Sequence, residues 1–172
     1  MTPEFSHIVR LDSLGGAPRT ITLAASVEER AALARRFGLA AIDRLEAEAT
    51  LHRDGDMIMA RGQLQAEVTQ LCAATGDPLP ARIDEPFALR FVPEDRDPGE
   101  EVELSEKDCD TLPHDGAAID LGEAVAETMA LALDPFPRAP GADAALRAAG
   151  VLEEGEAGPF AALKALRDKL SG

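Results

Sequence analysis

Cys72 and Cys109 are the residues of this sequence best suited to nucleophilic or metal chemistry, and neither has the neighbours such chemistry needs. A C-x-x-C zinc half-site requires a second thiolate three positions on, and Thr75 stands there instead. The histidines His7, His52 and His114 are scattered, so no four-ligand spacing emerges and no bound zinc is expected. A cysteine nucleophile would need a base held within hydrogen-bond reach, and no local signature of that kind surrounds either thiol. Carboxylates are abundant, but an acidic run is more often a solvated surface than a general acid–base pair. Neither G-x-x-x-x-G-K-[ST] nor G-x-G-x-x-G occurs, which removes the usual phosphate cradles. Phe87 and Phe91 fall on one strand face together with Leu89, a pattern of core packing rather than base stacking. The expectation is a non-enzymatic chain with no cofactor and no metal.

The charge balance points the same way. Thirty-two acidic residues against 17 basic ones give a formal net charge of −15 in 172 residues. Such a field repels a polyanion at long range, so DNA is not an expected partner and a basic protein is the natural complement. The plainer reading, that the charge serves solubility alone, stays open. No Trp or Tyr and only six Phe are present, so the core must be aliphatic. The N-terminus Met1-Thr2-Pro3-Glu4 is acidic where a secretory signal is basic. The longest apolar stretch, Ala124 to Leu133, is too short to span a bilayer and contains Glu127. With two cysteines and no disulfide framework, a cytoplasmic chain without a membrane partner is expected.

The elements that would position these residues are legible from periodicity. Phe5 to Leu11 and Thr20 to Ala24 read as short strands around the turn Gly15-Gly16-Ala17-Pro18. Ser26 and Glu29 form a capping-box pair ahead of a helix over Val27 to Phe37, and Gly38 supplies its stop. From Arg44 the period becomes two: Leu45, Ala47, Ala49 and Leu51 alternate with polar residues, and so do Ile58, Ala60, Gly62, Leu64, Ala66 and Val68. Asp54-Gly55-Asp56 between them predicts a long antiparallel hairpin. A third strand follows through Phe87, Leu89 and Phe91, with Pro86 placing its start near an edge. Pro93 to Asp110, with nine acidic and two basic residues, predicts an acidic loop that extends over about 93–118. Asp120 and Glu123 open a second helix whose Leu121, Ala124, Val125, Thr128 and Ala132 share a face, and Pro135 and Pro137 end it. Residues 138–158 read as a linker with one short helix near Asp143 to Ala149. Pro159 then starts an amphipathic tail helix carrying Phe160, Leu163, Leu166 and Leu170 beside Lys164, Arg167 and Lys169. The predicted fold is α+β: an antiparallel sheet built on a long hairpin and packed with two main helices in a domain over 1–137, then 138–172 as linker and tail helix.

Three separated pieces, taken in order, resemble the YceD family of large ribosomal RNA subunit accumulation proteins. The first is Val68-Thr69-Gln70-Leu71-Cys72 at the end of the long strand. The second runs from Asp120-Leu121-Gly122-Glu123 through Glu127 and Leu131 to Asp134-Pro135-Phe136-Pro137-Arg138, and the third is Pro159-Phe160-Ala161-Ala162-Leu163 with Leu166. The resemblance spans residues 68–170. Many relatives place a second cysteine three residues after the first; Thr75 occupies that position here, so a metal role is not carried over. The resemblance implies a process, bacterial large-subunit ribosomal RNA accumulation, and supplies no catalytic residue.

The expected function is therefore an accessory factor of ribosome production that binds a basic ribosomal protein or assembly factor, with ribosomal RNA contacted only indirectly. The expected partner surface is Asp120, Glu123, Glu127, Asp134, Pro135, Pro137 and Arg138. The motif residues Gln70, Cys72, Leu121, Leu131, Phe160 and Leu163 are expected to be structural. Reversing Glu123 and Glu127 to Lys is expected to harm partner binding more than folding, although local capping or pairing by these carboxylates is an equal alternative. Direct ribosomal RNA binding through Arg82, Arg90, Lys164, Arg167 and Lys169 is the second reading, marked by a basic patch, and an RNA-processing enzyme is the third, marked by a cleft of converging titratable groups.

Overall fold

Two runs of alternating residues fold back on each other to make the frame. In the computed structural model, which describes residues 3–94 and 109–151, strand β3 (Ala41–Asp54) pairs antiparallel with β4 (Met57–Leu71) from Asp54↔Met57 onward. The turn needs a left-handed residue, and Gly55 provides it at φ 60°. Strand β2 (Arg19–Ala24) flanks β3 antiparallel, and β5 (Pro78–Pro93) lies beyond β4. The outermost β6 (Asp110–His114) runs parallel to β5, giving the order β2-β3-β4-β5-β6. A separate antiparallel pair joins β1 (Ile8–Arg10) to β7 (Ala118–Asp120).

Period-two alternation gives this sheet one dry face. Ile21, Leu23, Leu45, Leu51, Ile58, Leu64, Phe87, Leu89 and Phe91 are buried in one cluster. Helix α1 (Val27–Phe37) adds Leu33 and Ala34, and helix α2 (Leu121–Leu131) adds Leu121, Ala124, Val125, Ala126 and Met129. Helix α1 starts with the capping box expected from Ser26 and Glu29 and stops at Gly38, whose φ of 66° is left-handed. The opposite face of the sheet carries Thr20, Thr50, Glu48, Gln63, Gln65 and Asp84, cross-linked by bonds such as Gln63 Nε2 to Asp84 Oδ1 at 2.7 Å.

The chain separates into two compact units, Met1–Gln70 with Pro80–Pro135, and Leu71–Leu79 with Phe136–Gly172. In the second unit, helix α3 (Ala142–Ala148) buries Ala142. The tail helix expected over 159–170, with Phe160 and Leu163, and the part of the acidic loop over 95–108 lie outside the described residues.

Four expectations are corrected. The first strand is shorter than Phe5 to Leu11, because the chain turns into a 3₁₀ helix at Leu11–Ser13, where the buried Leu11 donates its N–H to Ala117 O at 3.0 Å. The third strand begins at Pro78 and not near Pro86, which lies inside β5 at an edge position that β6, paired with Leu89–Pro93, does not reach. The stretch 110–118 is not all loop, since it contains β6 and the start of β7. The sheet is not purely antiparallel either, because β6 joins it in parallel. His114 anchors that strand: buried to 4% exposure, its Nε2 lies 2.8 Å from Asp56 O, and its Nδ1 accepts from Gly116 N–H at 2.9 Å. No helix of the described residues is long and apolar enough to cross a membrane.

Candidate functional site

The stretch Asp120-Leu121-Gly122-Glu123, which sequence reading places at a partner surface, is first a clasp. Asp120 caps α2 by accepting from Glu123 N–H at 3.1 Å. The same carboxylate accepts from His7 N–H at 2.8 Å and from the Ser6 hydroxyl at 2.6 Å, and Leu121 N–H returns a bond to His7 O at 3.0 Å. One side chain therefore closes the helix start onto the N-terminal segment. Gly122 is needed because a Cβ there would stand 2.7 Å from His7 N and 2.9 Å from Phe5 O. Leu121 has no exposed area.

Glu123 is engaged as well. Arg36, in the last turn of α1, donates to its two oxygens at 2.9 and 2.6 Å and to Glu4 at 3.0 Å, with Glu127 3.9 Å away. Hydrogen bonding to Glu123 raises the Arg36 pKa despite burial, with Glu4 adding to it. The Glu4 carboxyl is lowered by its own backbone N–H and by Arg36. A two-point arginine–carboxylate contact between α1 and α2 gives Glu123 a structural use. Its reversal to Lys would set two cations together, so the expected separation of binding from folding does not extend to Glu123. Glu127, with its side chain 45% exposed, remains open to solvent. Arg36 is the residue sequence reading missed, because nothing local to α1 shows which carboxylate lies across from it. Leu131, expected to be structural, is 79% exposed because the buried side of α2 ends with Met129. Thr128 is half-buried and Ala132 exposed, while Ala126 and Met129 are buried, so the buried face of α2 is turned relative to the one expected.

Gln70 and the end of α2 meet in the first unit. The Gln70 side chain, 8% exposed, donates to Asp134 O at 2.8 Å, which satisfies a carbonyl ahead of Pro135. In the second unit the chain from Cys72 to Asp77 forms a tight turn: Gly76 N–H bonds Cys72 O and Cys72 N–H bonds Asp77 O, both at 2.8 Å. Ala73 N–H bonds Pro137 O at 2.7 Å, and Ala139 N–H reaches Cys72 Sγ at 3.3 Å. Arg138 pairs with Asp143 at 2.6 Å. Asp134, Pro135 and Arg138 are exposed, and Pro137 is half-buried.

Cys72 is 3% exposed, yet its pKa is lowered to about 7 by hydrogen bonding from Thr75, with help from Ala139 N–H and against the effect of burial. The Thr75 hydroxyl also donates to Asp77 Oδ2 at 2.7 Å and accepts from Asp77 N–H at 3.4 Å, so it closes the turn beside the thiol. A thiol whose folded pKa lies below the ordinary 9.0 adds stability that is complete above that value and lost as pH falls through about 7. Raising pH from about 7 to 9 should therefore raise the unfolding midpoint more in the native chain than in Thr75→Val. Thermal unfolding across a buffer series measures both slopes, and equal slopes would contradict the assignment. No group of three His, Cys, Asp or Glu among the described residues is placed to hold a metal ion.

The family model described as "Large ribosomal RNA subunit accumulation protein YceD" matches residues 60–167. Comparison with curated proteins and with solved structures gives no match.

Proposed function

The chain belongs to the YceD family of large ribosomal RNA subunit accumulation proteins, and from that membership we propose that it is a non-enzymatic accessory factor that acts by binding a basic ribosomal protein or assembly factor. The family match carries the process. The charge supports the kind of partner: at −15 the chain attracts cations and repels the phosphate backbone. Its arginines add to this, since Arg36, Arg44, Arg82 and Arg138 each lie against a carboxylate, Glu123, Glu46, Glu67 and Asp143 respectively. Of these four, Arg36 is the most withdrawn from solvent, whereas Arg44, Arg82 and Arg138 form surface pairs that weaken rather than remove their attraction for phosphate. The non-enzymatic reading is supported by the use made of the carboxylates that open α2, where Asp120 caps and Glu123 pairs with Arg36. Glu127, Asp134, Pro135, Pro137 and Arg138 stay in the proposed partner surface as individual residues of their units.

Recovery of the tagged chain from cell extract, with and without RNase, tests this reading. Basic large-subunit proteins are expected in both samples, and recovery should fall as salt rises. Glu127→Gln, which removes the charge without placing a second cation beside Arg36, should reduce it with little shift of the unfolding midpoint, since the Arg36 contact is 3.9 Å long and the side chain 45% exposed. Loss of all partners on RNase treatment would replace the proposal by direct ribosomal RNA binding, for which Arg82 and Arg90 are the described candidates and Lys164, Arg167 and Lys169 lie outside the described residues.

A further inference from the structure

Strand β2 ends the five-stranded sheet, and its outer side is open among the described residues. Which of its groups face outward follows from the register. Ala25 N–H bonds Leu45 O at 3.0 Å, and the pairs Leu23↔Ala47, Ile21↔Ala49 and Arg19↔Leu51 continue that register in steps of two. In an antiparallel ladder these are the hydrogen-bonded pairs, so Thr20, Thr22 and Ala24 turn their N–H and C=O groups away from β3. All three residues are exposed, and their backbone N–H groups have no partner among the described residues.

Edges of this kind are normally blunted by charge, proline or a bulge. From Thr20 to Ala25 there is none of these. The opposite edge, β6, contains Pro113 and is a poorer template. Beside the outward-facing row, Glu48 lies opposite Thr22 and Glu46 opposite Ala24 on the open face. Glu48 is exposed with no ion-pair partner among the described residues, and Glu46 is held by Arg44 at 2.7 Å. The short side chains of Thr22 and Ala24 leave room for a long cationic side chain on an added strand to lean over them toward these carboxylates. On the other face, the added strand would continue the row of buried Ile21 and Leu23, which asks for apolar residues at the alternate positions.

We propose that the outer edge of β2 is a docking site that takes an extended segment of alternating basic and apolar residues from a partner protein as a sixth strand. The inference rests on the reading that the partner is a basic protein and says where and how it is held. A second copy of the chain fits the edge less well, because pairing β2 with itself would bring the Glu46 and Glu48 rows of two chains, each at −15, toward one another.

The probe is a short capped peptide of alternating Lys and Val, titrated into the full chain with amide-resolved hydrogen exchange. Thr20, Thr22 and Ala24 N–H should become protected, whereas Ile21 and Leu23 are protected beforehand. Thr22→Pro removes one outward N–H and no bond to β3, so it should weaken binding about tenfold with the fold retained. Should that variant fail to fold, protection in the unsubstituted chain still decides. Peptide binding without protection at the three amides would overturn the edge while leaving the basic-partner reading intact. Absence of peptide binding, in a chain that recovers basic proteins from extract, would do the same. Protection that grows with protein concentration alone would assign the edge to a second copy and overturn the proposal.

Discussion

Gly62→Ala is expected to lower the stability of this chain by about 3 kcal/mol, the upper part of the range for overpacking a fitted interior. Gly62 sits on β4 opposite Ala49, on the side of the sheet that also carries the buried Leu64 and Ala60. A Cβ at this position would stand 2.0 Å from Glu48 O and 2.9 Å from Ala49 Cα. These are backbone atoms of the neighbouring strand, so no rotamer change can make room and the hairpin itself must shift. For a chain of this length the loss corresponds to a fall of roughly 6–12 °C in Tm. Gly16→Ala is the control, since nothing lies within 4 Å of a Cβ built there. Thermal unfolding of the two variants checks the pair, and equal midpoints would show that the close approach of β3 to β4 is absent in solution.

The second large effect separates two leucines of the same helix. Leu121→Ala should cost about 3 kcal/mol, whereas Leu131→Ala should change stability by no more than about 0.5 kcal/mol. Leu121 has no exposed area, sits under the Asp120 clasp, and leaves a cavity walled by Val125 and the rest of the core cluster when truncated. Leu131 is 79% exposed, so its truncation removes little that is out of water. Chemical denaturation of both variants measures the difference. If Leu131→Ala lowers partner recovery with the fold intact, it belongs to the binding surface; an equal loss of stability in both variants would contradict the placement of α2.

How much of this was legible in advance depends on how local each signal is. The α1 boundaries, its capping box and its glycine stop were readable because each involves residues within four positions of one another. The β3–β4 hairpin was readable because alternation and the Asp54-Gly55-Asp56 turn agree. The strands at 110–114 and 118–120 were not, since Asp110–His114 contains a proline and follows an acidic run, and only its parallel contact with β5 and the burial of His114 make it a strand. The partner surface was legible by residue type alone. Asp120, Glu123 and Glu127 look equivalent as acids on one helix, and their uses differ because Ser6, His7 and Arg36 arrive from distant parts of the chain.

The family, the acidic character, the aliphatic core and the periods that make strands and helices are all legible in the chain, because these depend on composition and on spacing along it. Alternation even assigned Gly62 to the core-facing side of its strand. The three-dimensional arrangement settles the rest: no side chain fits at Gly62, and Arg36 holds Glu123 at 2.6 Å but Glu127 only at 3.9 Å. It also decided which edge of the sheet keeps its N–H groups turned outward. The reason is common to these features: each is set by the distance between atoms far apart in the chain or by the register between strands. A periodicity of two or 3.6 says which way a side chain points but not what it will meet.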